Sequence, residues 1–127
     1  MTMHILLAED DPSVSIVIQI SLEKIGGHTV ELVGDGAAAV SMATRQAFDL
    51  IILDGMMPIK SGLQAAAEIR QAGIVTTPII FLSAKNDERD IKAFLGLATG
   101  FIPKPFEPTE ICARIDSILN SQSQGAG

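Results

Sequence analysis

The sequence predicts an α/β fold, a parallel sheet sandwiched between layers of helices. Strand-like and helix-like patterns alternate five times along the chain. Three strand-like runs, His4–Ala8, Leu50–Asp54 and Ile79–Ser83, are nearly continuous apolar blocks, as strands buried on both faces require. Four of the runs end in residues suited to phosphate chemistry: Glu9-Asp10-Asp11, Asp54, Ser83 and Lys104-Pro105. In an open parallel sheet, ligands bind outside the carboxyl ends of the strands, so these residues would meet at one rim.

Each element has its own signals. The first strand, His4–Ala8, leads into a helix that opens at Asp11-Pro12, a capping acid followed by a proline at the first helical position. Val14, Ile18, Leu22 and Ile25 form its apolar stripe, and Gly26-Gly27 suit its C-terminal cap. Ile16 and Ile20 lie off that stripe, so the helix is apolar almost all round. Ile20 is read as part of a wide core-facing stripe, against the alternative of a docking face that includes Val17. Thr29–Val33 is the second strand, followed by a helix over 36–47. After Leu50–Asp54 a third helix runs over 61–71 and stops at Gly73. After Ile79–Ser83 a fourth begins at Asp87, with Ile91, Phe94, Leu95 and Ala98 at helical spacing. The fifth strand covers 101–103, and the last helix follows Pro108-Thr109-Glu110 with Ile111, Ile115, Ile118 and Leu119. Five β-then-α units imply right-handed crossovers. They leave the strand order open, but a switch beside the first strand would gather the ends of strands one, three, four and five.

The 127 residues suffice for one domain with a real core, and 47% apolar content excludes a disordered body. A net charge of -6 argues against a nucleic-acid footprint. No apolar run is long enough to span a bilayer, and no signal peptide is evident. The lone Cys112 cannot form an internal disulfide, which points to a reduced, cytoplasmic setting. The Gly-rich polar stretch 121–127 reads as a flexible tail or the start of a linker after a domain over 1–120.

Two carboxylates about 4 Å apart repel by roughly 4 kcal/mol at an effective dielectric of about 20. Asp10 beside Asp54, with Glu9 or Asp11 added, therefore calls for a protonated acid or a bound cation. Oxygen ligands without clustered His or Cys favour Mg2+ or Mn2+ over zinc. Read singly, Glu9–Asp11 could merely cap a helix, and Ser83 and Lys104 could be ordinary turn residues. Pro105 would fix the loop that aims Lys104, through the cis bond that an X-Pro pair admits.

In the segments H-I-L-L-A-E-D-D-P, D-L-I-I-L-D-G-M-M-P-I-K-S-G, T-P-I-I-F-L-S-A and G-F-I-P-K-P-F, over about residues 3–120, the chain resembles the receiver domain of two-component response regulators. The resemblance implies a flavodoxin-like (βα)5 three-layer sandwich with strand order 2-1-3-4-5. By position, it makes Asp54 the phosphoacceptor, attacking the phosphorus of a phosphohistidine. Asp10, Asp54 and the backbone carbonyl of Met56 would bind Mg2+, with Glu9 acting through water. Ser83 and Lys104 would hold the phosphoryl oxygens. The chemistry agrees: phosphoryl transfer needs an in-line nucleophile and charge neutralisation, and a carboxylate is ionised at neutral pH without a general base.

The resemblance also implies a readout in which Ser83 and an aromatic on the fifth strand, here Phe101, shift together; the other reading of Phe101 is plain core. The output surface would be the fourth helix, fifth strand and fifth helix, which also admits a homodimer. Partners would be a histidine kinase or histidine phosphotransfer protein and a downstream protein or output domain, with no direct nucleic-acid or membrane binding. Gly55 stands where receivers usually carry a larger residue. The competing functions are a magnesium-dependent phosphatase with an Asp nucleophile, and a degenerate receiver that binds partners without phosphate. Met56 counts against the first, because such enzymes carry a second acid two residues after the nucleophile.

Overall fold

Leucine and isoleucine dominate the strand runs, and alternation along each run decides which face a side chain takes. The structure, a computed structural model, describes residues 2–83, 96–104 and 106–126, the side chains of Ser83 and of 122–126 excepted. The body of the expected fourth helix and Pro105 lie outside the described residues. The described elements are β1 (His4–Ala8), α1 (Pro12–Ile20), β2 (Thr29–Val33), α2 (Gly36–Arg45), β3 (Leu50–Asp54), α3 (Gly62–Gln71), β4 (Ile79–Ser83), β5 (Gly100–Pro103) and a C-terminal helix (Ile111–Ala126).

The strands pair in parallel in the order β2-β1-β3-β4-β5, so the flavodoxin-like order holds and the switch lies between β1 and β3. Leu6, Ala8, Ile51, Leu53, Ile79 and Phe81 turn to one face, where Ala39 and Ala43 of α2 and Ala65, Ala66 and Ile69 of α3 cover them. Ile5, Leu7, Leu50, Ile52, Ile80, Leu82 and Ile102 turn to the other, under Ile18 and Leu22 from the first helix and Ile111 and Ile115 from the last. Small alanines on α2 and α3 let those helices sit close to the bulky strand residues.

Asp11 caps α1 as expected, its carboxylate accepting the Ser13 N–H, and Pro12 takes the first helical position. Beyond Ile20 the helix widens into a π-turn over Ser21–Ile25, in which the Gly26 N–H donates to the Ser21 carbonyl at 3.2 Å. Two expectations are corrected here. A period of about 3.6 residues places Ile25 in line with Val14, Ile18 and Leu22. One extra residue in the turn rotates it outward, and Ile25 is 58% exposed. Ile20, expected to reach the core, is 51% exposed, because Ile18, Ser21 and Leu22 take the buried positions around it. At the other end of the chain, the polar stretch from Ser121 continues the helix to Ala126 instead of leaving it. Extending a formed helix needs one hydrogen bond per residue and no new nucleus.

Leu6 is fully buried in a central strand. Leu6→Ala should lower the unfolding free energy by about 3 kcal/mol, measured as a lower urea midpoint at unchanged slope. A loss below about 1 kcal/mol would contradict the packing described.

Candidate functional site

The strand order brings the ends of β1, β3 and β5 to one rim. Glu9 follows the last residue of β1, and its N–H donates to the Val33 carbonyl at 3.1 Å, which extends the β1–β2 ladder by one bond. Asp54 is the last residue of β3, and the next N–H, of Gly55, donates to the Leu82 carbonyl at 2.8 Å. These main-chain bonds fix both carboxylates from below. Glu9 and Asp54 are buried, whereas Asp10 is exposed beside them. Glu9, Asp10 and Asp54 each offer an oxygen, all within 4.8 Å of one another.

Lys104 reaches this group from the end of β5. Its Nζ lies 3.2 Å from Glu9 Oε2 and 3.4 Å from Asp54 Oδ1. The Met56 N–H also donates to Asp54 Oδ1, at 3.4 Å, and the Asp11 N–H donates to Glu9 Oε1 at 3.2 Å. Burial above all, and next the Asp54 carboxylate, push the Glu9 carboxyl up to about 7, against the opposing pull of Lys104 and the Asp11 N–H. Three acids thus converge, with the Lys104 ammonium bound to the two buried ones. An all-oxygen donor set of that kind suits a hard divalent cation.

The expected residues fall into three groups. Glu9, Asp10, Asp54 and Lys104 converge. Asp11, by contrast, serves α1: the Ser13 hydroxyl and N–H hold its carboxylate below the usual range. Ser83 ends β4 and is paired with Pro103, one step before Lys104, which puts its backbone on the same rim; its side chain lies outside the described residues. Phe101 pairs in register with Phe81 and packs, half-buried, on the face covered by α2 and α3. Neither histidine is at the rim. His28 Nδ1 accepts the Met3 N–H at 3.0 Å, and the His4 ring stacks on Phe48 with centroids 4.6 Å apart.

Sequence reasoning missed the supports of the loop that follows Asp54. The Gly62 N–H closes its base on the Gly55 carbonyl at 3.1 Å. A Cβ at Gly62 would stand 2.2 Å from the Asp54 carbonyl oxygen, and one at Gly36 would stand 2.1 Å from that of Lys60. Both positions therefore require glycine. Lys60 Nζ binds Glu68 Oε2 at 2.7 Å. Ser61 and Gln64 form a capping box at the start of α3, a signal that S-x-x-Q spacing does carry.

A parallel five-stranded sheet with two acids after β1, one at the end of β3 and a lysine after β5 defines the class of phosphoacceptor signalling domains. The comparisons make this specific: the model of the response regulator receiver domain matches residues 5–116, and the chain belongs to that family. It is 40% identical over 114 residues to the transcriptional regulatory protein DltR of Streptococcus agalactiae, covering 89% of this chain and 50% of DltR. It is 36% identical to the alkaline phosphatase synthesis transcriptional regulatory protein PhoP of Bacillus subtilis, covering 94% of this chain and 49% of PhoP. The chain thus spans about half the length of the curated relatives it matches. Among solved structures, chemotaxis response regulator CheY4 of Vibrio cholerae superposes with a TM-score of 0.85 at 26% identity, covering 93% of this chain and 99% of that one. The receiver domain of sensor histidine kinase PA1611 of Pseudomonas aeruginosa, whose active-site cleft coordinates a magnesium ion, gives 0.82 at 33% identity, covering 94% and 99%. The names of DltR and PhoP place those two proteins in transcription, which conflicts with the expectation of no direct nucleic-acid binding. The net charge of -6 describes these residues, not a longer regulator. Among the described residues no helix is long and apolar enough to cross a membrane.

The raised Glu9 value fixes a sign. A carboxyl whose folded pKa of about 7 exceeds its ordinary 4.5 favours the folded state below that ordinary value. The contribution is lost as pH rises through about 7. With chelator present, Glu9→Gln should unfold at higher urea than the parent at pH 8, by about 1–3 kcal/mol, and lose most of that advantage at pH 4.5. Equal midpoints at pH 8 would show that Glu9 carries no such electrostatic cost.

Proposed function

We propose that this receiver domain, residues 1–120, takes a phosphoryl group on Asp54 from a phosphohistidine. The observation that carries the reading is the convergence of Glu9, Asp10 and Asp54 with Lys104 bound between the two buried acids. Asp54 Oδ1 is engaged by Lys104 and the Met56 N–H. Its Oδ2 is the oxygen assigned to attack phosphorus. Lys104, already at the acceptor carboxylate, neutralises charge on the incoming phosphoryl oxygens, and the Ser83 hydroxyl binds another of them.

The excess of acid over base in the pocket suits Mg2+, with Mn2+ as a substitute, and zinc is disfavoured by the donor set. Asp10, Asp54 and the Met56 carbonyl would hold the ion, with Glu9 behind them through water. When bound, it would supply positive charge to the phosphoryl oxygens. Glu9 would then be ionised, since a neighbouring cation opposes the effects that raise its pKa.

The domain acts as a switch in the cytoplasm, turning over no outside substrate. Its donor is a histidine kinase or phosphotransfer protein, and its readout runs through Ser83 and Phe101 to the surface of the fourth helix, β5 and the C-terminal helix. That surface engages a downstream protein, an output domain or a second copy. Pro105, outside the described residues, would fix the loop that aims Lys104.

Incubation with Mg2+ and acetyl phosphate should add one alkali-labile, hydroxylamine-labile phosphoryl group, seen as intact mass, and Asp54→Asn should abolish it. A wild-type chain that stays unmodified by acetyl phosphate or phosphoramidate would end this reading. Ile16, Val17 and Ile20 are exposed along α1, whose first turn follows the rim acids. Val17→Glu should slow transfer from a phosphohistidine protein by more than about tenfold while leaving loading from acetyl phosphate unchanged. Equal slowing with both donors would show that Val17 supports the fold and is not a docking contact.

A further inference from the structure

The loop after Asp54 reverses direction at Ile59. Ile59 has a φ of 71°, and the Lys60 N–H donates to the Pro58 carbonyl at 2.8 Å across it. Together these define a γ-turn of the rare, strained hand. A β-branched residue suits it poorly, because positive φ crowds its Cβ against the main chain. The Ile59 side chain is 76% exposed, so burial does not offset the strain. Strain of this kind persists where the surroundings over-determine the backbone.

Three holds do so here. At the base, the Gly62 N–H binds the Gly55 carbonyl and Gly62 abuts the main chain of Asp54. On the flank, the Lys60 carbonyl lies against Gly36 at the start of α2. Across the loop, Lys60 Nζ binds Glu68 of α3 at 2.7 Å. The first two are contacts of main chain on main chain. The third is a half-exposed ion pair, a type that ordinarily adds little to global stability. Its placement is what matters, because it adjoins the strained residue and tethers the same loop that carries Met56 to Asp54.

We propose that Lys60 is a positioning residue for phosphoryl chemistry at Asp54: its ion pair with Glu68 holds the Ile59 turn closed and so keeps the Met56 main chain at the acceptor carboxylate. The Met56 N–H is bound to Asp54 Oδ1 at 3.4 Å in this arrangement. If the tether is removed, the strain at Ile59 favours a relaxed loop, and Met56 withdraws from Asp54. The inference rests on the reading of Asp54 as phosphoacceptor but concerns a residue outside the pocket.

The test is a mutant cycle on the full chain with Lys60→Met, Ile59→Asn and the double variant. Methionine keeps an aliphatic stem without the charge, and asparagine accepts positive φ. Three readouts are compared: hydrogen exchange at the Lys60 and Gly62 amides, the Mg2+ dissociation constant, and the rate of loading from acetyl phosphate. Lys60→Met should speed exchange, weaken Mg2+ binding and slow loading, each by roughly 2- to 5-fold, with an unchanged melting temperature. Adding Ile59→Asn should return all three towards the wild-type values, because the tether then has no strain to oppose. Wild-type behaviour of Lys60→Met, or a double variant as impaired as Lys60→Met, would overturn the proposal. A wild-type chain that takes no phosphoryl group sinks the phosphoacceptor reading, whereas the exchange data alone still decide whether Lys60 holds the loop.

Discussion

Like charge held at close quarters is the constraint on which the rest of this structure depends. Glu9 and Asp54 are buried side by side, and the sheet gives them no freedom to separate. Each is pinned by the strand it follows or ends, through the Glu9 N–H on Val33 and the Gly55 N–H on Leu82. Lys104 relieves part of the repulsion, while burial, and after it the Asp54 carboxylate, still raises the Glu9 pKa. A pocket in that condition is poised to bind positive charge. The Glu9 proton, Lys104 and any arriving cation compete to supply it. What is unfavourable for the isolated fold is therefore what makes the pocket responsive.

The topology explains how residues so far apart in sequence share one rim. Glu9 and Lys104 are separated by 95 positions and bonded at 3.2 Å. Parallel strands all present their carboxyl ends on the same side, and placing β1 between β2 and β3 brings the ends of β1 and β3 together. The alternation that packs Leu6, Leu53 and Phe81 on one face, and Leu7, Ile52 and Leu82 on the other, locks the register. A slip of one residue in β3 would turn its whole apolar set over, as well as displacing Asp54.

Much of this was legible in the sequence because it depends on patterns that repeat. Apolar blocks of four residues marked β1, β3 and β4, and Asp11-Pro12 marked the start of α1. Strand-end placement together with charge repulsion singled out Asp10 and Asp54, with Glu9 or Asp11, as a group needing a proton or a cation. The failures have a common cause: local geometry that departs from a regular period. Ile25 was assigned inward because an α-helical period was assumed, and the π-turn at Ser21–Ile25 breaks it. The strained turn at Ile59 is invisible for the same reason, since isoleucine carries no turn signal. Gly36 and Gly62 fall in the first turns of the helices expected over 36–47 and 61–71, and only their closeness to the Lys60 and Asp54 carbonyls shows why no Cβ fits. The tether from Lys60 to Glu68 spans eight positions from a loop into a helix, a spacing that matches no helical rule.

Electrostatic cost and backbone strain thus lie within a few residues of each other, in the pocket and in the loop that closes on it. Neither is offset where it arises. The repulsion is borne by the buried β1–β3 pairing, and the strain by contacts with α2 and α3. That division has a physical consequence. A rigid core can keep unfavourable groups in place at rest, while a small change in charge at the rim alters the balance in a loop held by few contacts. Adding a doubly charged group to Asp54 would be such a change, and the acceptor loop, bound to Asp54 through Met56 and to the neighbouring helices through Lys60, is the element placed to respond first.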